Sequence, residues 1–383
     1  MSRDLLLLAI SLFTWGMGEG LFLYFEPLYL QQLGASPVGI GSILGAMAVA
    51  MALTQIPAGY LGDRIGRRPL MWAGWMLGSV SALIMALSPN LTGFTIGLIL
   101  YGSTGFSTPP MNSYITNTRG KWSVSRAITF ISAIYNMGAI AGPFIGGQIA
   151  NHTGIRSVYY LSAGIFIVST VVLLFIRPQP VEKLPEGHDG KELFTNTRFL
   201  GFIGFFFFVI FSSYLSQPLT ANFLQNQRGL DVGTIGTLGS IASLGIVILA
   251  LGFGRLNPSL SFVLSQIASL LFGLFIWQGT GMPWYCAGYL FYGGMRVTKN
   301  LGIALTKPLV HPAQLGTAFG IMETTCSAAL IAAPPIAGLI YQVNPSFVYP
   351  VSMVLIVIAM VLSLRKVPGG RRRGYPQDEK KPI

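Results

Sequence analysis

The chain has 383 residues, of which 52% are hydrophobic and only 9% charged, with a mean hydropathy of +0.62. Soluble proteins carry about 25% charged residues, so an ordinary soluble fold is excluded. The net charge of +12 would point to nucleic acid in a soluble domain, but here the basic residues lie between apolar segments, where membrane topology accounts for them and no nucleic-acid partner is required.

Apolar runs of membrane-spanning length recur along the whole chain. They predict an all-α membrane protein, because a helix satisfies its own backbone groups inside lipid. Twelve transmembrane helices are read: residues 4–32, 37–62, 69–87, 91–118, 125–151 and 157–177, then 198–226, 232–254, 259–278, 283–310, 316–342 and 346–366. The first run is too long, and too polar in its second half, for a cleaved leader; it is kept as a span. It carries Glu19 and Glu26. Seven residues are nearly two helical turns, which places both carboxylates on one face. A charge at the bilayer centre costs about 2.5–3.5 kcal/mol, so such groups face a cavity or a partner. Both are candidate proton or substrate sites. The alternatives are a structural hydrogen bond for Glu19 and a place at the external mouth for Glu26.

Between the second and third spans lies Gly59-Tyr60-Leu61-Gly62-Asp63-Arg64-Ile65-Gly66-Arg67-Arg68. Gly59 and Gly62 permit close backbone approach, and Gly66 can take the positive φ of a sharp turn. Asp63 suits a helix N-terminus or an arginine, while Arg64, Arg67 and Arg68 favour the cytoplasmic side. The fourth span contains Leu98-Ile99-Leu100-Tyr101-Gly102-Ser103-Thr104-Gly105 and no Arg. The fifth contains Gly138-Ala139-Ile140-Ala141-Gly142-Pro143-Phe144-Ile145-Gly146-Gly147. Pro143 frees a carbonyl and bends the helix, and Gly138, Gly142, Gly146 and Gly147 allow tight crossing.

Residues 178–197, rich in Pro, Gly and charge, read as a cytoplasmic linker between an N-terminal unit (1–177) and a C-terminal unit (198–366). Residues 367–383 read as a basic cytoplasmic tail drawn to anionic lipid. The two units repeat at an offset of 191 residues. Glu26-Pro27 matches Gln217-Pro218, Tyr101-Gly102 matches Tyr292-Gly293, Gly142-Pro143 aligns with Ala333-Pro334, Gly147 with Gly338 and Arg64 with Arg255. A duplicated six-helix bundle is the simplest account, with substrate held near the midplane between the halves. The second copy of the charged turn, Gly252-Phe253-Gly254-Arg255-Leu256-Asn257-Pro258, keeps the Arg and loses the Asp.

The tenth span carries Arg296 and Lys299 at i, i+3, on one face, and the eleventh carries Glu323. These charges either pair with one another or with the first-span carboxylates as structure, or bind an anionic group. Asn112, Asn136, Gln217 and Asn222 are candidate cavity liners, with an interhelical hydrogen bond as the alternative role. Cys286 and Cys326 sit in apolar segments without metal or disulfide spacing, so no metal is expected. Of the 24 Lys and Arg, only Arg156, Arg228, Arg296 and Lys299 fall away from the ends, loops and tails that the positive-inside rule makes cytoplasmic.

The turn at 59–68 resembles, at every position, the loop signature of the major facilitator superfamily, G-x-L-G/A-D-R/K-x-G-R-R/K. The order G-x-x-x-G-P-x-x-G-G at 138–147 is similar to the fifth-helix motif of that superfamily's exporters and antiporters. The resemblance covers the whole chain and implies two pseudo-symmetric six-helix bundles. It further implies a monomeric secondary transporter working by alternating access in the cell membrane, with both termini cytoplasmic. The sequence carries no nucleophile–base spacing, phosphate loop or metal cluster, so no enzyme activity is expected, and no cofactor beyond a proton gradient. Asp63 would engage the N-terminus of the eleventh helix when the cytoplasmic side is closed, and the fifth-helix motif would shape the interface between halves. The leading expectation is proton-coupled efflux of a small amphipathic or drug-like substrate, with Glu19 and Glu26 as proton sites. The alternative is uptake of a small polar solute such as a sugar or organic anion, contacted by Arg296 and Lys299. One departure concerns coupling. Many drug exporters of the family carry a buried Arg in the fourth helix, and here the available substitute is Arg296, which aligns with Gly105. A transporter-fold scaffold that moves nothing would gain nothing from the intact turn or the buried charges.

Overall fold

A computed structural model describes residues 2–120, 122, 124–179, 195–310 and 315–366, with side chains at 55–65, 124–126, 128–129, 315–317 and 366 left aside. Most of the linker (180–194), the tail (367–383) and the side chains of Asp63 and Arg64, with the surroundings of Gly59 and Gly62, lie outside the described residues. So does the segment 311–314 that precedes the eleventh span, and with it the expected Asp63 contact.

The described residues form helices and connecting turns, with no strand among them. The first span is α1 (Arg3–Leu23) followed by a short α2 (Glu26–Gln32); α3 (Pro37–Ile65) and α4 (Arg67–Leu87) are the second and third. The fourth is α5 (Leu91–Ser103) and α6 (Thr108–Thr118), joined by a 3-10 turn over Thr104–Ser107; α7 (Val124–Thr153) and α8 (Ile155–Leu174) follow. In the second half, α9 (Thr197–Tyr214) and α10 (Thr220–Arg228) make the seventh span, followed by α11 (Val232–Phe253) and α12 (Pro258–Gln278). The tenth span is α13 (Met282–Phe291) and α14 (Gly294–Ala304), and α15 (Leu315–Val343) and α16 (Val348–Lys366) close the chain. Among the described residues ten helices are long and apolar enough to cross a membrane. The fourth and tenth spans bring these to twelve; each crosses as two shorter helices.

The sequence sets the helix starts locally. Ser2, Ser36, Asn90, Asn196 and Asp231 each accept a hydrogen bond from the backbone N–H three residues on, satisfying a donor the first turn leaves free. Gly66, at φ 90°, turns the chain between α3 and α4 in a region that disfavours any side chain.

Four spans are interrupted, and they are the first and fourth of each half. The breaks fall at Tyr24–Phe25, Thr104–Ser107, Leu215–Leu219 and Tyr292–Gly293. The repeat-related pairs Glu26-Pro27 and Gln217-Pro218 lie at two of them, and Tyr292-Gly293 with its mate Tyr101-Gly102 at or next to the others. A proline cannot donate to the ladder before it, so the regular helix ends there. The first span is therefore not the single continuous helix expected to carry Glu19 and Glu26. The Phe25 N–H bonds the Phe22 carbonyl in a 3-10 step between α1 and α2.

Within the N-terminal half α1 packs on α7 and α8, α4 on α5 and α8, and α3 on α5. Within the C-terminal half α9 packs on α15 and α16, α12 on α13, α14 and α16, and α11 on α13. Among the described residues the halves meet mainly along two seams, α3 on α15 and α7 on α11, with a smaller contact of α2 on α10. The seams are symmetric. A β-carbon on Gly236 would overlap the Pro143 carbonyl, and one on Gly41 would overlap the Pro334 carbonyl. Each half thus lays a glycine-bearing helix against the proline helix of the other. Both seams sit at the end formed by the loops before α3 and α11, opposite the end where α1 begins and α16 finishes.

Candidate functional site

Between the halves lies a cavity of about 720 Å³. The seams seal its loop end. From there it runs towards the opposite end, where its wall includes the exposed Thr108, Ser132 and Asn300. The interrupted spans supply most of its chemistry: Glu19, Tyr24 and Glu26 from the first, Tyr214 and Gln217 from the seventh, and Tyr289, Tyr292, Arg296 and Lys299 from the tenth. A broken helix exposes backbone groups and re-aims side chains, and both need a protein-lined space within a membrane.

Glu19 accepts a hydrogen bond from the Tyr135 hydroxyl at 2.7 Å. Glu26, the other first-span candidate, is 3% exposed, and its Oε1 has no hydrogen-bond partner. Its repeat mate Gln217 is buried and donates from Nε2 to the Tyr292 carbonyl at 3.2 Å, a carbonyl at the tenth-span break. The pseudo-symmetric positions therefore hold one acid and one amide.

Lys299 pairs with Glu323 at 2.8 Å, bridging α14 and α15. Both ends are substantially exposed, at 29% and 48%, so the pair contributes little stability. Arg296, one turn earlier in α14, is open to the cavity and forms no ion pair among the described residues. Its electrostatic neighbours are Tyr135, Tyr24, Glu19 and Tyr292. The two cations expected on one face therefore differ in state: one is neutralised and one is free.

The four proposed amide liners separate. Asn136 lines the cavity and donates to the Ser132 carbonyl at 2.7 Å, and Gln217 lines it as described. Asn112 does not line it: it is exposed one helical turn beyond Thr108, where the wall ends. Asn222 is 1% exposed but lies past the seventh-span break, in the closed end. Its Nδ2 donates to the Pro27 carbonyl at 3.0 Å and to Gln31 Oε1 at 2.6 Å. Gln31 and Asn226 also exchange hydrogen bonds, at 3.2 and 3.0 Å. These amides clasp the halves together beside a smaller cavity of about 270 Å³. Gln31 was missed in the sequence, although it stands 191 residues before Asn222, the offset of the repeat. The tyrosines Tyr24, Tyr135, Tyr214 and Tyr289 were missed too, since an aromatic in an apolar run carries no mark of facing a cavity.

The fifth-span motif divides its contacts. Gly138, Gly142 and Gly146 lie against the α1 backbone at Phe13, Met17 and Leu21, Gly147 faces α11, and Pro143 lies between Gly20 of α1 and Gly236 and Gly239 of α11. In the charged turn, Arg67 donates to Gln179 Oε1 at 3.1 Å and the Arg68 guanidinium lies 3.9 Å from the centre of the Trp72 ring.

The family model of the Major Facilitator Superfamily matches residues 8–258 and 202–382. The chain is 25% identical to Multidrug resistance protein 2 of Bacillus subtilis over 94% of each chain. It is 25% identical to Quinolone resistance protein NorA of Staphylococcus aureus over half of each chain. Among solved structures, a variant of the nucleoside transporter NupG superposes with a TM-score of 0.83 at 14% identity, covering 96% of this chain and all of that one. A peptide transporter POT in complex with sulfate superposes with a TM-score of 0.74 at 16% identity, covering 96% of this chain and 95% of that one. These superpositions establish the fold. With two bundles around a central cavity and the family match running along both, the chain belongs to the Major Facilitator Superfamily and is a multi-pass membrane transporter, not an enzyme.

Proposed function

We propose that this protein is a proton-coupled exporter of small amphipathic, drug-like compounds, working by alternating access as a monomer in the cell membrane. The observation that carries the reading is the buried, partly unpartnered Glu26 beside Glu19 in the wall of a cavity sealed at one end. A carboxylate in that position exchanges a proton with whichever side the cavity faces. The positive-inside rule makes the termini cytoplasmic, so the sealed end is external and the arrangement inward-facing. A cavity of about 720 Å³ suits a drug-sized solute. Export is supported by the full-length similarity to Multidrug resistance protein 2 and by the complete fifth-span motif on the seam. Asp63 would lock the cytoplasmic side in the opposite state.

The test is transport in inside-out vesicles with an imposed pH gradient. Solute accumulation should require an acidic lumen, collapse with a protonophore and be lost in Glu26→Gln. Accumulation indifferent to the gradient and to Glu26→Gln would overturn the coupling. The unpaired Arg296 favours a second reading, uptake of a small organic anion, and inward movement in right-side-out vesicles would decide for it.

A further inference from the structure

The cavity holds a free cation and a hydrogen-bonded acid in electrostatic reach of each other, and both face the same space. We propose that the cargo is an aromatic zwitterion, its acidic group held by Arg296 and its ammonium group by Glu19. This rests on the transport reading of the cavity and deepens it by naming the substrate class.

The cation side of the argument is one of elimination. Lys299 is already neutralised by Glu323 at 2.8 Å. Arg296 is open to the cavity and without an ion pair among the described residues, on a span where an unpaired charge is costly. A guanidinium presents a planar fork of donors that fits a carboxylate or sulfonate, and it cannot shed its charge.

The acid side rests on geometry. Charged and titratable groups facing Glu19 are Tyr24, Tyr101, Tyr135, Glu26 and Arg296. The Tyr135 hydroxyl fixes Oε2 at 2.7 Å and so orients the carboxylate. A cargo carrying only an acid would load Arg296 but place a second negative charge beside the Glu19 carboxylate and leave that carboxylate without a counter-ion. A cargo carrying only an amine would meet the field of Arg296. A molecule with both groups gives each residue its counter-ion. The wall of the same cavity is aromatic: Tyr289 and Tyr292 stack with ring centres 5.9 Å apart, and Tyr24 leans on Tyr292 at 6.0 Å. Such rings favour a flat apolar body.

The experiment measures binding to the purified full chain in detergent, without any pH gradient, using a single benzene ring with an aminomethyl group at one end and a carboxylate at the other. Its methyl ester and its N-acetyl derivative complete the series. Each removal of one charge should weaken binding roughly tenfold to a hundredfold, the worth of a charge-assisted contact. Arg296→Gln should bind the zwitterion and the ester alike, and Glu19→Gln the zwitterion and the N-acetyl derivative alike. Ester or N-acetyl derivative binding the parent protein as tightly as the zwitterion would overturn the proposal, whatever the variants do. Failure of proton coupling in vesicles, with the binding order intact, would instead strike only the exporter reading.

Discussion

Gly236→Ala tests the seam on which alternating access depends. With the loop end closed, the new β-carbon would overlap the Pro143 carbonyl oxygen and stand 2.6 Å from the Gly147 α-carbon and 3.0 Å from the Gly147 nitrogen. All three are backbone atoms, so no rotamer change relieves the clash. Overpacking of this kind costs about 1–3 kcal/mol. Once α7 and α11 have parted, the same methyl meets none of these atoms. The preference of a helix for Ala over Gly applies in both states and cancels. The closed-outside state should therefore lose roughly fivefold to 150-fold in population relative to the state open at the loop end. The assay is labelling of Ala35→Cys, a position 8% exposed beside the amide clasp, by a membrane-impermeant maleimide after replacement of Cys286 and Cys326. Labelling should quicken in Gly236→Ala. Gly252→Ala, in the same helix with nothing within 4 Å of the added carbon, is the control and should leave the rate unchanged. Equal rates in Gly236→Ala and its parent, or equal acceleration by Gly252→Ala, would refute the reasoning.

The amide clasp yields a second expectation. Asn222→Ala removes the donors to Pro27 and Gln31 and should cost the closed end about 1–2 kcal/mol, raising Ala35→Cys labelling about tenfold. Gln31→Ala should act in the same direction, and the two effects should fall short of additive because they share one bond; strict additivity would show that the clasp is not a unit. Glu323→Gln leaves Lys299 alone at a half-open site, so thermal stability should fall by less than about 1 kcal/mol, and the exchange Lys299→Glu with Glu323→Lys should restore it. A large loss would mean that the pair is less hydrated than its exposure indicates. Asp231 caps α11, and the Thr234 hydroxyl and backbone N–H hold its carboxyl below the ordinary aspartate range. The folded state therefore binds the proton more weakly than the unfolded chain. The stabilisation is present above the unfolded value and is lost as pH falls through the folded one. Melting curves of the detergent-solubilised protein should show a steeper acid loss for the parent than for Asp231→Asn; parallel curves would refute it.

Hydropathy, the charge pattern and the repeat determined much by themselves: the helical membrane class, the twelve spans and the duplication. The reason is that the bilayer imposes length and backbone satisfaction on each segment separately, so both are readable one segment at a time. The same holds for the local devices, Gly66 in its positive-φ turn and Pro143 on the close-packed fifth helix. The sequence also singled out Glu19, Glu26, Arg296, Lys299 and Glu323, because a charge within a span is conspicuous. Only the tertiary structure decided which of them share a partner. Arg296 and Lys299 look equivalent along α14 and differ because α15 brings Glu323 to one and not to the other. Glu19 and Glu26 were expected on one continuous helix; the structure breaks that helix at Tyr24–Phe25 and still sets both residues in the wall of one cavity. Asn112 and Asn222 left the wall because a liner is defined by the rotation and depth of its helix, which packing between bundles sets. The tyrosines and Gln31 entered for the same reason: what faces a cavity between two halves is a property of both halves, and no segment records it alone.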